Sequence, residues 1–587
     1  MINQEDDDLK IQDVLQRLGN IHYPAGPIYT KSCKAKALLN LERNELEAIY
    51  YLVESHSPNL RLNAVHCYEK SLHCVYDPTP LNKAYFNFQC STQTTEDKVN
   101  SMLRMVEEFP QEWTIVQLTS ELSVEEHLEL SLERRHTNPL HLTVFNCGKN
   151  QPSPFTVRID APHDGISGNV IEIRQEMFSI VNDNVKLLEN FKSFCGKNFK
   201  HIGEKMAYSE ARFLLNNRLE NLIKEIQCKW LGPWRCLFVG KFVSADIENI
   251  VAQKVDELNT TEKTKNILRC LIKGASYLSI SEIKDRLLSM FPFDEQKSIR
   301  VTLAKDIQQM LKRYEFTQQK RHPVLLILDE KLDALPWEML DILENQPISR
   351  MPSIHFTYAL YKEHESTISN GVKNVTIGKG TYLINPGLDL RSMQNRLNKF
   401  FNYWLPDWDG LVGVTPSEDD FKNLLVNSDL FVYSGHGNGS QFFASEKIQK
   451  MRIDKVVLLF GCSSVSLTSL GPQVEMFGSY HKYQIACSPC VVGMLWPVTD
   501  MDTDLVTTEL LSQWLPSKAE THWKLIDKKK WETGGNLVPM KSKTTLSHAE
   551  KHEPELLRAL CNAKKAARQY LMKGACVARG LPVKIQQ

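Results

Sequence analysis

Two apolar runs joined by one short crossover constrain this chain more than any other feature. LFVYSGHGNGSQFF carries Leu430–Tyr433 straight into Ser434-Gly435-His436-Gly437, and KVVLLFGCSSVSL carries Lys455–Phe460 straight into Gly461-Cys462-Ser463-Ser464. His436 and Cys462 lie 26 positions apart, with a loop, a helical stretch near Ala444–Met451 and the second run between them. That length suits one right-handed β-α-β crossover. Two neighbouring parallel strands then set His436 and Cys462 side by side at their carboxyl ends, where open α/β sheets form ligand crevices. The flanking glycines let the backbone turn sharply and let a substrate approach closely.

A cysteine beside a histidine becomes a strong nucleophile once its pKa is depressed, and the N-terminus of a helix following Cys462 would help. Backbone N–H groups of Gly437 and Cys462 are natural donors to an oxyanion. This is the arrangement of a Cys/His acyl-transfer dyad. A lone cysteine or histidine is more often structural; the coincidence of both at strand ends, both beside glycines, tips the balance toward catalysis. A third passage, ACSPCVVGMLWPVTDMDTDL, ends a strand in Asp500, Asp502 and Asp504. It fails as a calcium loop, because its sixth position is Leu505 and its twelfth Leu511. Two readings stay open: the acids cap the following helix, or they form an anionic pocket for a basic substrate side chain. The lone Cys487-Ser488-Pro489-Cys490 has no second pair at zinc spacing and reads as packing.

The rest of the chain supplies the frame. Helical periodicity dominates the first hundred residues, through Leu38–Leu52 and Asn59–Cys74. Strands follow at Trp113–Leu118, Leu140–Phe145 and Phe155–Ile159. Helices then run over Gln175–Ser193, Tyr208–Lys229, Asp246–Val255, Thr264–Lys273, Ser279–Met290 and Ser298–Tyr314. After them, short apolar runs at Val324–Leu328, Ile354–Ala359, Thr381–Ile384, Leu430–Tyr433, Lys455–Phe460 and Cys490–Trp496 alternate with helical patterns, the signature of a mostly parallel sheet. Ser517–His548, lysine-rich with few apolar residues, reads as an exposed or mobile insertion. A final helix is expected over Glu555–Lys573. At 587 residues the chain is too long for one core. Its 70 basic and 70 acidic residues remove the excess expected of a sequence-independent nucleic-acid binder. No apolar run approaches the ~20 residues of a membrane helix. The acidic MINQEDDDLK is unlike a secretory signal, so the 14 cysteines are expected as reduced thiols in a cytosolic or nuclear protein.

These motifs, in this order, resemble the separase family, cysteine endopeptidases of the caspase-like clan. SGHGNG resembles the family's histidine motif, FGCSS its nucleophile motif, and VVGMLWPVTDMDTD the strand and acidic turn after it. ILDEKLDALPWE, PISRMPS, YLINPGLDL, KWLGPWRCLF and RGLPV extend the resemblance over about Trp113–Ile585. It implies Cys462 as nucleophile, His436 as general base and acid, and a pocket for the arginine before the scissile bond formed by Asp504 first, then Asp502 and Asp500. It implies no metal or organic cofactor.

The substrate implied is the kleisin subunit of cohesin, cleaved after arginine to release sister chromatids at anaphase, with a securin-like inhibitor. Action on mitotic chromosomes, from cytoplasm and nucleus, goes with it. Pro497 stands where the family usually has Asp, and Ser488-Pro489 where it has Cys-Pro, which touches pocket detail only. The chain resembles the short insect form, in which a separate helical scaffold subunit completes the enzyme. The expected fold is α/β: a helical docking region over 1–104, a supporting pseudo-protease-like α/β domain with a helical insert over 105–374, and a caspase-like catalytic domain over 375–587 with the basic insertion at 517–548. The rival reading is a non-catalytic caspase-fold scaffold that binds securin-like or helical partners.

Overall fold

A computed structural model describes residues 26–73, 80–86, 93–121, 139–160, 173–190, 202–471, 474–540 and 552–586. The acidic amino terminus, the polar stretches at 74–79 and 87–92, the last residues of the expected Gln175–Ser193 helix and the Lys541-Ser542-Lys543 cluster lie outside the described residues.

One eleven-stranded sheet organises the molecule. From edge to edge it runs Phe155–Ile159, Leu140–Asn146, Thr114–Ser120, Val324–Leu328, Ile348–Met351, Cys576–Gly580, Cys490–Met494, Val456–Phe460, Leu430–Ser434, Gly380–Ile384 and Asp409–Val412. The last strand in sequence, Cys576–Gly580, sits in the middle. It pairs parallel to Ile348–Met351 through Arg579 and Arg350, and antiparallel to Cys490–Met494. The expected supporting and catalytic halves therefore share a continuous sheet, and the apolar core crosses the boundary drawn at 374/375.

Side-chain alternation explains how this sheet is covered on both faces. Val116, Leu118, Val324, Leu326 and Leu328 point into the large core with the insert helices. Ile115, Leu325 and Ile327 point to the other face, against Ile49, Val53, Leu60, Met102 and Val106 of the N-terminal helices. The catalytic-half strands Leu430–Ser434, Val456–Phe460 and Cys490–Met494 are buried at every residue, as strands in a parallel sheet covered on both faces must be.

Three of the recognised motifs meet at the seam between the halves. Arg350 of PISRMPS donates to both carboxylate oxygens of Glu338, at 2.7 and 2.6 Å, and Arg579 of RGLPV donates to both oxygens of Asp333, at 2.8 and 2.6 Å. Asp333 and Glu338 both belong to ILDEKLDALPWE. All four side chains are buried, so each charge has its counter-ion where water cannot screen it. Through Arg579 and Asp333 these motifs join the halves.

Three expectations change. Ile354–Ala359, read as a strand, is helix Ile354–His364: Ser353 accepts from the Phe356 N–H at 3.1 Å and caps it, while the true strand is the preceding Ile348–Met351. A short apolar run buried on nearly every side carries no periodicity to separate helix from strand. The final helix is broken into Leu556–Lys564 and Tyr570–Ala575, followed by the seam strand. The described part of the basic insertion keeps Lys518, Lys524, Lys529 and Lys530 exposed but is anchored beneath them: Trp523, Ile526 and Trp531 are buried, and Trp531 Nε1 donates to the Arg396 carbonyl at 2.9 Å. Two buried indoles outweigh a lysine-rich composition. Among the described residues no helix is long and apolar enough to cross a membrane.

Candidate active site

The site forms where four parallel strands end. Leu430–Ser434 pairs with Val456–Phe460 in a register that closes on Ser434 opposite Phe460. One glycine further on each strand come His436 and Cys462, at the same height on adjacent strands, as the spacing requires. Gly461 makes this approach possible: a Cβ there would lie 1.9 Å from the Gly437 carbonyl oxygen and 2.7 Å from that of Gly435. The loop carrying His436 is fixed from behind. Tyr433 Oη and Gln441 Nε2 both donate to the His436 carbonyl, at 2.6 and 3.1 Å. Gly437 takes a positive φ of 64°.

Beyond Cys462 the chain makes a tight turn instead of the helix that would have supplied an N-terminal dipole. Ser463 adopts φ +54°, a left-handed conformation costly for a residue with a side chain. Ser464 holds the turn: its hydroxyl donates to the Leu459 carbonyl at 2.6 Å and accepts from the Met494 N–H at 3.0 Å. Cys462 is partly exposed, and its Sγ lies 3.6 Å from the Val498 carbonyl, on the segment leading into the acidic turn. Cys487 and Cys490 are buried, and burial pushes both thiols up, Cys490 to about 12.

Asp389 is the cleft residue that sequence reasoning missed. His436 Nε2 and Asp389 Oδ2 are 2.9 Å apart, and both side chains are more than half exposed at the cleft. Asp389 follows strand Gly380–Ile384, which lies parallel to Leu430–Ser434 on the side away from Cys462. The connecting Asn385-Pro386-Gly387-Leu388 places Asn385 and Leu388 at φ +50° and +66°. The Asn385 side chain accepts from the Leu390 N–H at 3.0 Å and so holds the turn that presents Asp389. The signal was an acid just past a strand end in YLINPGLDL; its use depended on knowing the strand order.

The three turn aspartates part company. They open helix Asp500–Trp514. Asp502 is buried and accepts from Thr499 Oγ1 at 2.8 Å and the Arg568 N–H at 3.0 Å, a local structural role. Asp504, the first expectation for the arginine pocket, is 1% exposed and accepts from Arg396 Nε at 2.7 Å. Arg396 also donates from Nη2 to Asp500 at 3.0 Å. Burial pushes the Asp504 carboxyl well up, with the Asp500 charge adding to it and Arg396 opposing. Desolvation works against the Arg396 guanidinium, but Asp504 and Asp500 more than offset it. Asp504 and Arg396 thus form a buried pair, and of the three acids Asp500 alone keeps substantial exposure. Among the described residues no three His, Cys, Asp or Glu side chains gather as a metal site.

Comparison with known proteins gives the family and the fold. The family model described as "Separin, protease domain" matches residues 136–503, a stretch that holds His436, Asp389, Cys462, Asp500 and Asp502. Separin of Mus musculus is 31% identical over 323 residues, covering 53% of this chain and 15% of its own. Separin of Schizosaccharomyces pombe is 28% identical over 374 residues, covering 58% of this chain and 19% of its own. The matched stretch thus spans less than a fifth of either relative. Two crystal structures of the Saccharomyces cerevisiae separase–securin complex, at 2.6 and 3.0 Å resolution, superpose with TM-scores of 0.69 and 0.68 at 18% and 17% identity. They cover 98% and 100% of this chain and 37% and 38% of theirs, which establishes a shared fold.

Proposed function

This chain belongs to the separase family, and from that premise we propose that it is a cysteine endopeptidase that cleaves after arginine. The observation that carries the reading is the register placing His436 and Cys462 on adjacent strand ends, with Asp389 against the imidazole.

In this mechanism Asp389 holds His436 through Nε2 and stabilises the imidazolium, which leaves Nδ1 to exchange a proton with the Cys462 thiol. The thiolate attacks the scissile carbonyl, and the N–H groups of Gly437 and Cys462 receive the charge that develops on its oxygen. His436 returns the proton to the leaving amine. Water, activated by the same imidazole, releases the acyl-enzyme and restores the thiol. The substrate arginine is read by Asp500 at the cleft mouth, while Arg396 and Asp504 support that carboxylate from behind. The substrate is the kleisin subunit of cohesin, cut to release sister chromatids at anaphase on mitotic chromosomes. A securin-like inhibitor occupies the cleft, and a separate helical scaffold subunit completes the enzyme in cytoplasm and nucleus. Support for the inhibitor comes from the similarity to a separase solved with securin.

The test is incubation of the purified protein, with its co-purifying partners, with a kleisin fragment, wild type beside Cys462→Ser. Cleavage after arginine by the wild type alone is expected. Cleavage that survives the substitution removes Cys462 from the mechanism and favours the scaffold reading.

A further inference from the structure

Helix Pro58–Ser71 lacks a cap of its own. Ser57, at the N-cap position, sits at φ +52° with no side-chain bond to the helix, and its hydroxyl donates instead to the Pro352 carbonyl at 3.2 Å. Pro58 brings no N–H. The next two donors, Asn59 N–H and Leu60 N–H, are taken by one carboxylate more than four hundred residues away: Glu475 Oε2 at 2.9 Å and Oε1 at 3.3 Å. A carboxylate at a helix N-terminus satisfies orphan amides and complements the dipole, and here it also ties two distant segments together.

Glu475 belongs to the segment that follows the nucleophile turn. Thr468 and Phe477 exchange backbone bonds, Thr468 N–H to the Phe477 carbonyl at 2.8 Å and Phe477 N–H to the Thr468 carbonyl at 3.0 Å. Ser479 Oγ donates to the Ser464 carbonyl at 2.9 Å, which returns the hairpin to the shoulder of Cys462. Beside Glu475, the Met476 N–H donates to Glu330 at 2.8 Å. The hairpin is therefore anchored at one end to the turn that shapes Cys462 and at the other to the N-terminal helices.

We propose that Glu475 is a positioning residue: by capping helix Pro58–Ser71 from a distance it fixes the hairpin after Cys462, so that the docking of the N-terminal helices sets the geometry of the nucleophile turn. Movement of those helices by a bound partner would reach Cys462 by this route. The activity arm of the test rests on the endopeptidase reading; the other two arms do not.

The test uses full-length Glu475→Ala and Glu475→Gln. Hydrogen exchange reports the amides of Asn59 and Leu60 and, separately, those of Thr468 and Phe477. Alkylation with iodoacetamide reports Cys462, with exposed Cys228 in the same molecule as reference. Glu475→Ala is expected to speed exchange in both segments by about tenfold or more, the scale of losing two hydrogen bonds. The Cys462-to-Cys228 labelling ratio should shift severalfold, and kcat should fall with KM held. Glu475→Gln, with one acceptor oxygen left, falls between. Faster exchange at Asn59 and Leu60 alone, with Thr468, Phe477 and the labelling ratio unchanged, overturns the proposal and leaves Glu475 as a helix cap. A wild type that cleaves nothing defeats the endopeptidase reading but leaves the exchange and labelling arms to decide this one.

Discussion

Replacing Asp504 separates a substrate pocket from a structural ion pair. Asp504 and Arg396 are 1% and 4% exposed, and the Nε–Oδ2 bond is 2.7 Å. Removing the carboxylate leaves the guanidinium buried with only Asp500, whose side chain is 37% exposed, so that pair is largely screened. Breaking a buried pair from one side costs about 3–5 kcal/mol, whereas removing an exposed partner costs about 0–1 kcal/mol. Asp504→Ala should therefore lower stability by about 3 kcal/mol or more, and Asp500→Ala by about 1 kcal/mol or less. Replacing both buried partners with apolar residues, Arg396→Met with Asp504→Leu, should recover most of the loss, because no orphan charge remains. Chemical denaturation of wild type and the three variants compares these costs, and cleavage of an arginine peptide on the same samples gives the function. If Asp504→Ala is as stable as wild type yet loses selectivity for arginine, the carboxylate is an open receptor and the structural assignment fails. The structural reading expects that selective loss from Asp500→Ala instead.

The other predictions concern the cleft and its approach. Asp389→Asn keeps a hydrogen bond to His436 but removes the charge that stabilises imidazolium, so kcat/KM should fall by about a hundredfold or more with binding unchanged, read by steady-state kinetics. Gly461→Ala forces a Cβ to within 1.9 Å of the Gly437 carbonyl, so His436 and Cys462 must separate; thiol labelling at Cys462 and peptide turnover should both change while the far half of the sheet keeps its hydrogen-exchange protection. Burial and the neighbouring Glu330 charge raise Glu475 to about 7, against the pull of the Asn59 and Leu60 amides and of Arg61. A folded-state pKa raised above the unfolded one makes its contribution greatest below the unfolded pKa and loses it as pH rises through about 7. Thermal unfolding should therefore show docking stability falling between roughly pH 4.5 and 7, and Glu475→Gln should flatten that slope.

The legible part of this protein was the part where local pattern and chemistry coincide. Leu430–Ser434 and Val456–Phe460 are apolar runs short enough to be strands, stopped by glycines the approach of the two loops demands, so Cys462 and His436 could be placed from sequence. Ile354–His364 could not, because a helix buried on nearly every side has the composition of a buried strand. Asp504 could not be told from its neighbours for a related reason: alternating acids after a strand look alike in sequence, and only tertiary contact shows that Arg396, from a helix a hundred positions away, pairs with it. Trp523 and Trp531 were hidden by the lysines around them.

The seam strand shows why the motifs that carry no chemistry sit where they do. Cys576–Gly580 completes hydrogen bonding for both Ile348–Met351 and Cys490–Met494, yet it is synthesised after both. Until it arrives, each half presents an open sheet edge, the kind of surface that pairs with other chains, and the side-chain contacts that close it toward the first half span 229 to 246 positions. Arg579 cannot enter the interior alone, since a buried guanidinium without a carboxylate is strongly unfavourable; Asp333 waits in the other half to receive it. The same strand then abuts Tyr480, whose hydroxyl accepts from Arg579 at 3.0 Å, just beyond the hairpin that follows Cys462. Arg579 thus ties the seam both to Asp333 in the other half and to Tyr480 just beyond the hairpin that follows Cys462.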